Sequence, residues 1–187
     1  MNNCYLDAEA VITFFRMTGR KHIFITGSRG SGKSHLVNNM LKHMSDSFNL
    51  LQSHRTDTPQ VVIKSNLVAD NKEFVIGVPR TSGINPASKG NNMIIIEDGF
   101  INCAIPAINT HLDTTPEKLF VIDELGYLES ACIPFQKAVE KLLDNSHVLA
   151  VIRKQSTEFL NRICNRKDVL VIDIDSTFET LSCIIMA

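Results

Sequence analysis

The sequence has few cysteines, and none of them lies close to another. The five cysteines stand at positions 4, 103, 132, 164 and 183, so their number is odd and no C-x-x-C pair occurs. Disulfide frameworks use even numbers of cysteines, and structural zinc sites use closely spaced pairs. The pattern argues against both and favours reduced, mostly buried thiols, as in a cytosolic protein.

Long apolar runs and an excess of charge of one sign are also missing. No stretch approaches the roughly 20 apolar residues that span a bilayer, and Asp7 and Glu9 stand where a secretory signal would carry basic residues. The formal net charge is -1, without an acidic or basic tail. We therefore expect a soluble, cytoplasmic protein, with no reason to expect nucleic acid or a membrane as its partner.

The composition is that of an ordinary globular protein, with 44% hydrophobic and 21% charged residues, and a length of 187 residues suits a single domain. Residues 5–17 carry apolar side chains at helical spacing, so residues 1–20 are predicted to form an N-terminal helical extension. Residues from about 45 to 98 are predicted to form a β-rich insertion with at least one mobile loop. Its expected strands cover residues 60–64, 73–78 and 93–97.

The rest of the chain alternates short apolar strands with amphipathic helices. Strands are predicted over residues 22–26, 118–122, 148–152 and 169–172, and helices over residues 33–44, 100–111, 135–143, 156–164 and 178–186. Pro106 either kinks its helix or marks the true start of that helix. The alternation predicts an α/β fold of three layers, in which helices cover both faces of a mostly parallel sheet.

A glycine-rich loop joins the first of these strands to the first of these helices, and it matches the pattern G-x-x-x-x-G-K-[ST] in full. The loop consists of Gly27, Ser28, Arg29, Gly30, Ser31, Gly32, Lys33 and Ser34. Glycines let the backbone turn tightly and bring its N–H groups close to phosphate oxygens. The following helix presents unpaired N–H groups and the positive end of its dipole to the same anion.

Two side chains at the end of this loop have more specific roles. We expect Lys33 to place its charge against the β and γ phosphates of a nucleoside triphosphate. The hydroxyl of Ser34 is expected to bind Mg²⁺, a hard ion that prefers oxygen ligands. The sequence thus predicts a nucleoside triphosphate, ATP or GTP, as the substrate and Mg²⁺ as the cofactor.

A second acidic element follows the strand predicted over residues 118–122, where Asp123 and Glu124 stand side by side. The carboxyl ends of parallel strands meet at one edge of a sheet, which places both carboxylates beside the glycine loop. Asp123 is expected to hold the Mg²⁺, and Glu124 to orient and deprotonate a water molecule in line with the γ phosphate. The alternative for Glu124 is a salt-bridged surface acid.

An arginine can stabilise the negative charge that develops on the γ-phosphate oxygens during phosphoryl transfer. Arg153 directly follows a predicted strand and is the leading candidate, ahead of Arg29 and Arg80. An ordinary surface arginine is the alternative for Arg153. No segment matches the N-K-x-D pattern that binds guanine, which disfavours a dedicated GTPase and leaves the base open.

Residues 120–129, with the sequence F-V-I-D-E-L-G-Y-L-E, resemble the VIDEIGKME signature of the cancer-related nucleoside-triphosphatase family, first known from thermophilic prokaryotes. With residues 99–108 and 165–169 and the glycine loop, the resemblance covers about residues 22–45 and 97–175. There are two departures from the family pattern. Tyr127 stands where the family has Lys, and the family's G-F-x-T segment has no clean counterpart after the first helix of the loop motif.

The resemblance implies an α/β/α P-loop fold of the RecA-like kind and slow, Mg²⁺-dependent hydrolysis of several nucleoside triphosphates. It assigns phosphate and Mg²⁺ binding to Lys33, Ser34 and Asp123, and the role of base to Glu124. Two other functions stay open. One is a kinase with a lid over residues 79–92, and the other is a nucleotide-dependent switch that binds a protein partner and turns over little.

Overall fold

The computed structural model describes residues 7–44, 47–80 and 93–176. Within these ranges, eight strands form one sheet. The strands are β1 (His22–Gly27), β2 (Phe48–Arg55), β3 (Val61–Ser65), β4 (Phe74–Pro79), β5 (Met93–Ile95), β6 (Leu119–Leu125), β7 (His147–Arg153) and β8 (Val169–Asp173). Their spatial order is β5-β4-β3-β2-β6-β7-β1-β8.

The sheet is mixed and mostly parallel. The neighbours β2, β6, β7, β1 and β8 run parallel, and β3, β4 and β5 add an antiparallel extension beyond β2. The predicted α/β fold with a mostly parallel sheet is confirmed. The interval expected to be rich in β structure contributes β2 to β5. Its first strand, β2, was not predicted; it pairs with β6 in parallel and with β3 in antiparallel orientation.

Helices cover both faces of this sheet. They are α1 (Ala8–Thr18), α2 (Lys33–Met44), α3 (Glu97–Gly99), α4 (Ile105–Thr114), α5 (Ile133–Asn145) and α6 (Glu158–Cys164). Side chains alternate between faces along a strand. Ile23 and Ile25 of β1 therefore pack with α1 and α2, and Phe24 packs on the opposite face with α4, α5 and α6. The three layers expected from the sequence are present.

The N-terminal helix α1 has clear end signals. The carboxylate of Asp7 accepts a hydrogen bond from the backbone N–H of Ala10 at 3.2 Å, which caps the first turn. Gly19 ends the helix with a φ of 64°, in the left-handed region that favours glycine. The helix predicted over residues 5–17 is therefore present with slightly different bounds, and its apolar face packs on α2.

The helix predicted over residues 100–111 has an irregular start. A π-helical stretch, Phe100–Ala104, joins α3 to α4. Pro106 lies in the first turn of α4, directly after the π-helical stretch, and has no N–H to donate to the preceding turn. Wider π-helical turns are a common way of accommodating such an interruption. Pro106 thus marks the start of the regular α-helical segment.

Two predicted segments lie outside the described residues. These are the helix expected over residues 178–186 and most of the loop expected over residues 79–92. Among the helices of the described ranges, none is long and apolar enough to cross a membrane.

Candidate functional site

The glycine-rich loop connects the end of β1 to the start of α2, as predicted. Gly27, Gly30 and Gly32 have φ values of 154°, 78° and 91°, which L side chains rarely adopt. A Cβ on Gly27 would also lie 2.7 Å from a side-chain carbon of Ile174 and 2.9 Å from Ser31 Oγ. The loop path therefore requires glycine for both conformation and space.

The ammonium group of Lys33 lies over this loop. Its Nζ donates hydrogen bonds to the carbonyl oxygens of Gly27 at 2.9 Å and Ser28 at 2.7 Å. The hydroxyl of Ser31 donates to the same Ser28 oxygen at 2.7 Å. These bonds hold a positive charge at the N-terminal end of α2, where the helix dipole also favours an anion.

A cavity of about 810 Å³ opens above the loop. The loop itself forms one side, through Lys33 and Ser34 among others. Glu124, Arg153 and Arg55 line other parts of the same cavity. Five cationic side chains line this cavity, those of Arg29, Lys33, Arg55, Arg153 and Lys154. A cavity of this size and charge suits a polyphosphate ligand with its magnesium.

Asp123 lies near the end of β6, next to Gln52 in the register of β2. Asp123 is not among the residues that line the cavity. The pKa of the Asp123 carboxyl is raised, chiefly by burial and further by the neighbouring Glu124. A hydrogen bond from Gln52 and the charge of Lys33 lower it by a smaller amount. A divalent cation nearby would offset this unfavourable burial of negative charge. Carboxylate and hydroxyl oxygens from Asp123 and Ser34 are donors of the kind that Mg²⁺ prefers, so the residues fit the ion.

Glu124 occupies an irregular position in β6. The pairing of β6 with β7 shifts register between Asp123 and Leu125, so Glu124 has no partner in β7. Such a bulge turns a side chain away from its regular direction. The Glu124 carboxylate forms an ion pair and hydrogen bond with the Arg153 guanidinium at the end of β7. The two predicted catalytic side chains thus meet each other at the cavity wall.

Gly126, the glycine of the signature, leaves room for the Arg153 side chain. A Cβ on Gly126 would lie 2.9 Å from Cδ of Arg153, so the arginine stem packs directly on the glycine backbone. A larger residue at position 126 would displace the arginine from Glu124. The glycine of the signature therefore has a local structural reason.

Glu129 is a buried acid to which the sequence analysis gave no role. Only 5% of the residue is exposed. Its Oε2 accepts a hydrogen bond from the N–H of Gly126 at 2.9 Å, and its Oε1 lies 3.4 Å from the hydroxyl of Ser53. Burial raises the pKa of the Glu129 carboxyl to about 7. The side chain ties the loop after β6 to β2.

A second acid missed by the sequence analysis supports the glycine loop from the other side. The carboxylate of Asp175, just after β8, accepts hydrogen bonds from Ser28 N at 2.8 Å and Ser28 Oγ at 2.6 Å. Lys154 forms ion pairs with Asp175 at 3.1 Å and with Asp173 at 2.8 Å. The hydrogen bonds from Ser28, and then Lys154, lower the pKa of Asp175 to about 2.

Arg55 is another cation that lines the cavity, and the sequence analysis did not identify it. It ends β2, the strand that the sequence analysis did not predict, and its side chain is exposed. Its backbone pairs with Val61 of β3, but within the described residues its side chain makes no hydrogen bond or ion pair. An exposed guanidinium at the mouth of a cavity is suited to a phosphate ligand.

A strand, a glycine-rich loop and a helix, faced by a neighbouring strand that ends in carboxylates, define a P-loop nucleotide-binding protein. One strand, β7, separates β1 from β6, and the whole set lies at the carboxyl edge of the parallel strands. A sequence model of the NTPase family matches residues 22–179. The chain belongs to this family, which confirms the resemblance found in the sequence.

Individual relatives agree with this assignment. The nucleoside-triphosphatase THEP1 of Thermotoga sp. (strain RQ2) is 26% identical over 155 residues, which cover 82% of this chain and 86% of that protein. The nucleoside-triphosphatase THEP1 of Thermotoga maritima is 23% identical over 154 residues, with 82% and 86% covered.

Solved structures show the same fold. The crystal structure of THEP1 from Aquifex aeolicus has a TM-score of 0.64 with this chain at 18% identity, covering 87% of this chain and 96% of that one. The solution structure of a human cancer-related nucleoside triphosphatase has a TM-score of 0.61 at 20% identity, covering 89% and 96%.

Proposed function

We propose that this protein hydrolyses nucleoside triphosphates, with Mg²⁺, to the diphosphate and phosphate. The observation that carries the proposal is the single cavity that joins the glycine loop, with Lys33, to the carboxylate of Glu124. A phosphate-binding loop alone would support binding. A carboxylate in the same cavity adds a group that can accept a proton from water.

The loop holds the triphosphate tail in this proposal. Backbone N–H groups at the start of α2 donate to phosphate oxygens. Lys33 exchanges its two carbonyl partners for the β and γ phosphates, which bind an ammonium group more strongly than a neutral carbonyl does. Arg55 adds a further positive charge to the same cavity.

Ser34 and Asp123 would hold the metal ion. When bound, Mg²⁺ neutralises charge on the β and γ phosphates and helps to orient them. The side chain of Gln52 keeps the Asp123 carboxylate in place through the hydrogen bond between them.

The ion pair between Glu124 and Arg153 has to open before Glu124 can act as a base. The γ phosphate carries more negative charge than a carboxylate, so it competes with Glu124 for the guanidinium. Arg153 then faces the γ oxygens, and Glu124 is free to accept a proton from water. The water oxygen forms a bond to the γ phosphorus as the bond to the β–γ bridging oxygen breaks, and the diphosphate leaves.

A nucleotide-dependent switch with little turnover is the second candidate, and the same ion pair favours it. The pair has to open when a triphosphate enters, and such a change at the cavity wall can be transmitted to a partner. The two candidates differ in the rate of phosphate release.

The test measures phosphate release from ATP, GTP, CTP and UTP with Mg²⁺, for the native chain and for Glu124→Gln. We expect Glu124→Gln to lower kcat by about 10² to 10⁴-fold and to change the dissociation constant of the triphosphate by less than about threefold. Glu117→Gln, an exposed glutamate before the opposite end of β6, is the matched control and should leave both quantities unchanged. Turnover by the native chain that survives in Glu124→Gln would refute the role of the glutamate. Binding without measurable release by the native chain would favour the switch.

A further inference from the structure

A second cavity lies directly beside the phosphate cavity. Its volume is about 310 Å³, and three consecutive residues, Arg153, Lys154 and Gln155, line both cavities. These residues form the end of β7 and the start of the connection to α6. A ligand that filled both cavities would therefore cross this short stretch of chain.

The two cavities differ in chemistry. Cations dominate the first, whereas aliphatic side chains, including Ile152, Leu160 and Val171, form much of the second. A hydrated phosphate gains nothing from an aliphatic wall, but a flat ring gains from leaving water for such a surface. The volume suits a small planar ligand group.

The exposure of Val171 provides apolar surface that a ligand ring could cover. This residue lies in the middle of β8, on the same face as Val169, which is only 3% exposed. Val171 itself is 39% exposed, although α6 covers this face of the strand nearby. A ring lying in the second cavity would cover the uncovered part of this side chain.

One amide group stands at the rim with hydrogen-bonding capacity left over. The side-chain nitrogen of Asn161 donates to Ser156 Oγ at 3.1 Å. Its carbonyl oxygen takes part in no hydrogen bond within the described ranges. An amide offers both an acceptor and donors, so it can pair with the polar edge of a heterocyclic base.

We propose that the second cavity binds the base of the nucleotide while the glycine loop holds its phosphates. The inference rests on the proposed function and extends it, because it separates recognition of the nucleoside from recognition of the polyphosphate. The sugar then passes over the Arg153–Gln155 stretch that lines both cavities.

The test compares ATP with inorganic tripolyphosphate, which has the same phosphate chain and no base. Both ligands are titrated with Mg²⁺ against the native chain and against Val171→Trp, which fills the second cavity from an exposed position. We expect the dissociation constant of ATP to rise at least about tenfold in Val171→Trp, while that of tripolyphosphate changes by less than about twofold. Ile94→Trp is the matched control, since Ile94 is an exposed strand residue, 43% exposed, at the other edge of the sheet.

Several results would overturn the inference. Native-like ATP binding by Val171→Trp would place the base elsewhere and leave the hydrolysis proposal untouched. Equal affinity of the native chain for ATP and tripolyphosphate would mean that no base site contributes. A native chain that binds neither ligand would refute the proposed function as well.

A measurement on the native chain guards against a folding defect in the variant. The thiol of Cys164 lines the second cavity and is partly exposed. We expect saturating ATP to slow alkylation of Cys164 at least about fivefold, while saturating tripolyphosphate leaves the rate within about twofold, as read by peptide mass spectrometry. Equal protection by the two ligands, or protection by neither, would contradict a base in this cavity.

Discussion

Replacing Glu129 with glutamine should make the protein more stable at neutral and alkaline pH and leave its stability unchanged in acid. Glutamine has the shape of a protonated glutamate. Its carbonyl can still accept from the N–H of Gly126, and its NH₂ group can donate to the hydroxyl of Ser53, the two groups that Glu129 contacts. The substitution therefore removes the ionised form and keeps the hydrogen bonds.

The magnitude follows from the pKa of Glu129, which burial raises from 4.5 to about 7. Between these values the folded protein keeps its proton while the unfolded chain releases it, so native stability falls as pH rises through this window. A shift of this size corresponds to about 3 kcal/mol, which is reached above pH 7 and absent below pH 4.5. The nearby charges of Arg153 and Glu124 act on the same carboxyl in opposite directions and are smaller influences than burial.

The assay is urea denaturation of the native chain and Glu129→Gln at several pH values from 4.5 to 8.5, without nucleotide. All other titrating groups are common to the two proteins, so the difference in unfolding free energy isolates Glu129. We expect a difference near zero at pH 4.5 that grows to about 3 kcal/mol in favour of the variant above pH 7. A difference that does not change with pH, or a variant that is less stable at pH 8, would refute the reasoning. Glu117→Gln, at an exposed site, should show no such trend.

Three further predictions concern the phosphate cavity and the opposite end of the sheet. Arg55→Ala should weaken triphosphate binding about tenfold and diphosphate binding less, because the Arg55 guanidinium lines the phosphate cavity. Calorimetric titration of both ligands measures the two affinities. Equal losses of affinity for the two ligands would contradict the prediction. Asp123→Asn should raise the Mg²⁺ concentration for half-maximal hydrolysis at least about tenfold, since the amide loses the negative charge that attracts the ion; an unchanged Mg²⁺ titration would remove Asp123 from the metal site. Burial lowers the pKa of His22 to about 4, so the unfolded chain takes up a proton first and stability is lost as pH falls from 6.5 to 4. The His22→Leu variant should lose less stability than the native chain between pH 7 and pH 4.5, as measured by urea denaturation at both pH values. An equal loss in the two proteins would argue against His22 as the cause.

The phosphate loop could be predicted from the sequence because its parts are contiguous. The strand that leads into it, the three glycines with positive φ and the helix from Lys33 all lie within 23 residues of chain, His22–Met44. The helix bounds agree with those predicted. Local spacing was sufficient to identify the loop, although Asp175, far along the chain, also holds Ser28 of the loop in place.

Strand β2 could not be predicted because its stability depends on distant partners. Asn49 interrupts the apolar pattern and is nevertheless buried. Its amide nitrogen lies 2.8 Å from Nδ1 of His111 and donates to Thr115 Oγ1 at 2.8 Å. These residues follow 62 and 66 positions later. A buried amide with partners so far along the chain has no signature in a single sequence. Arg55 was missed for the same reason, since it ends this strand.

The pairing within the site was also beyond the sequence. Glu124 and Arg153 were each predicted as catalytic candidates, but their ion pair depends on the bulge at Glu124 and on the register of β6 with β7. Asp175 follows Asp173, the last residue of β8, by two positions and gave no signal of its own. Its contact with Ser28 joins positions 147 residues apart.

The contact between Asp175 and Ser28 has a consequence for the order in which the protein matures. During synthesis, the glycine loop leaves the ribosome long before residue 175 is added to the chain. Until that aspartate arrives, Ser28 lacks both of the bonds that hold its amide and hydroxyl, so the loop has not acquired its final shape. We therefore expect the glycine loop to reach its final shape only after Asp175 has docked against Ser28.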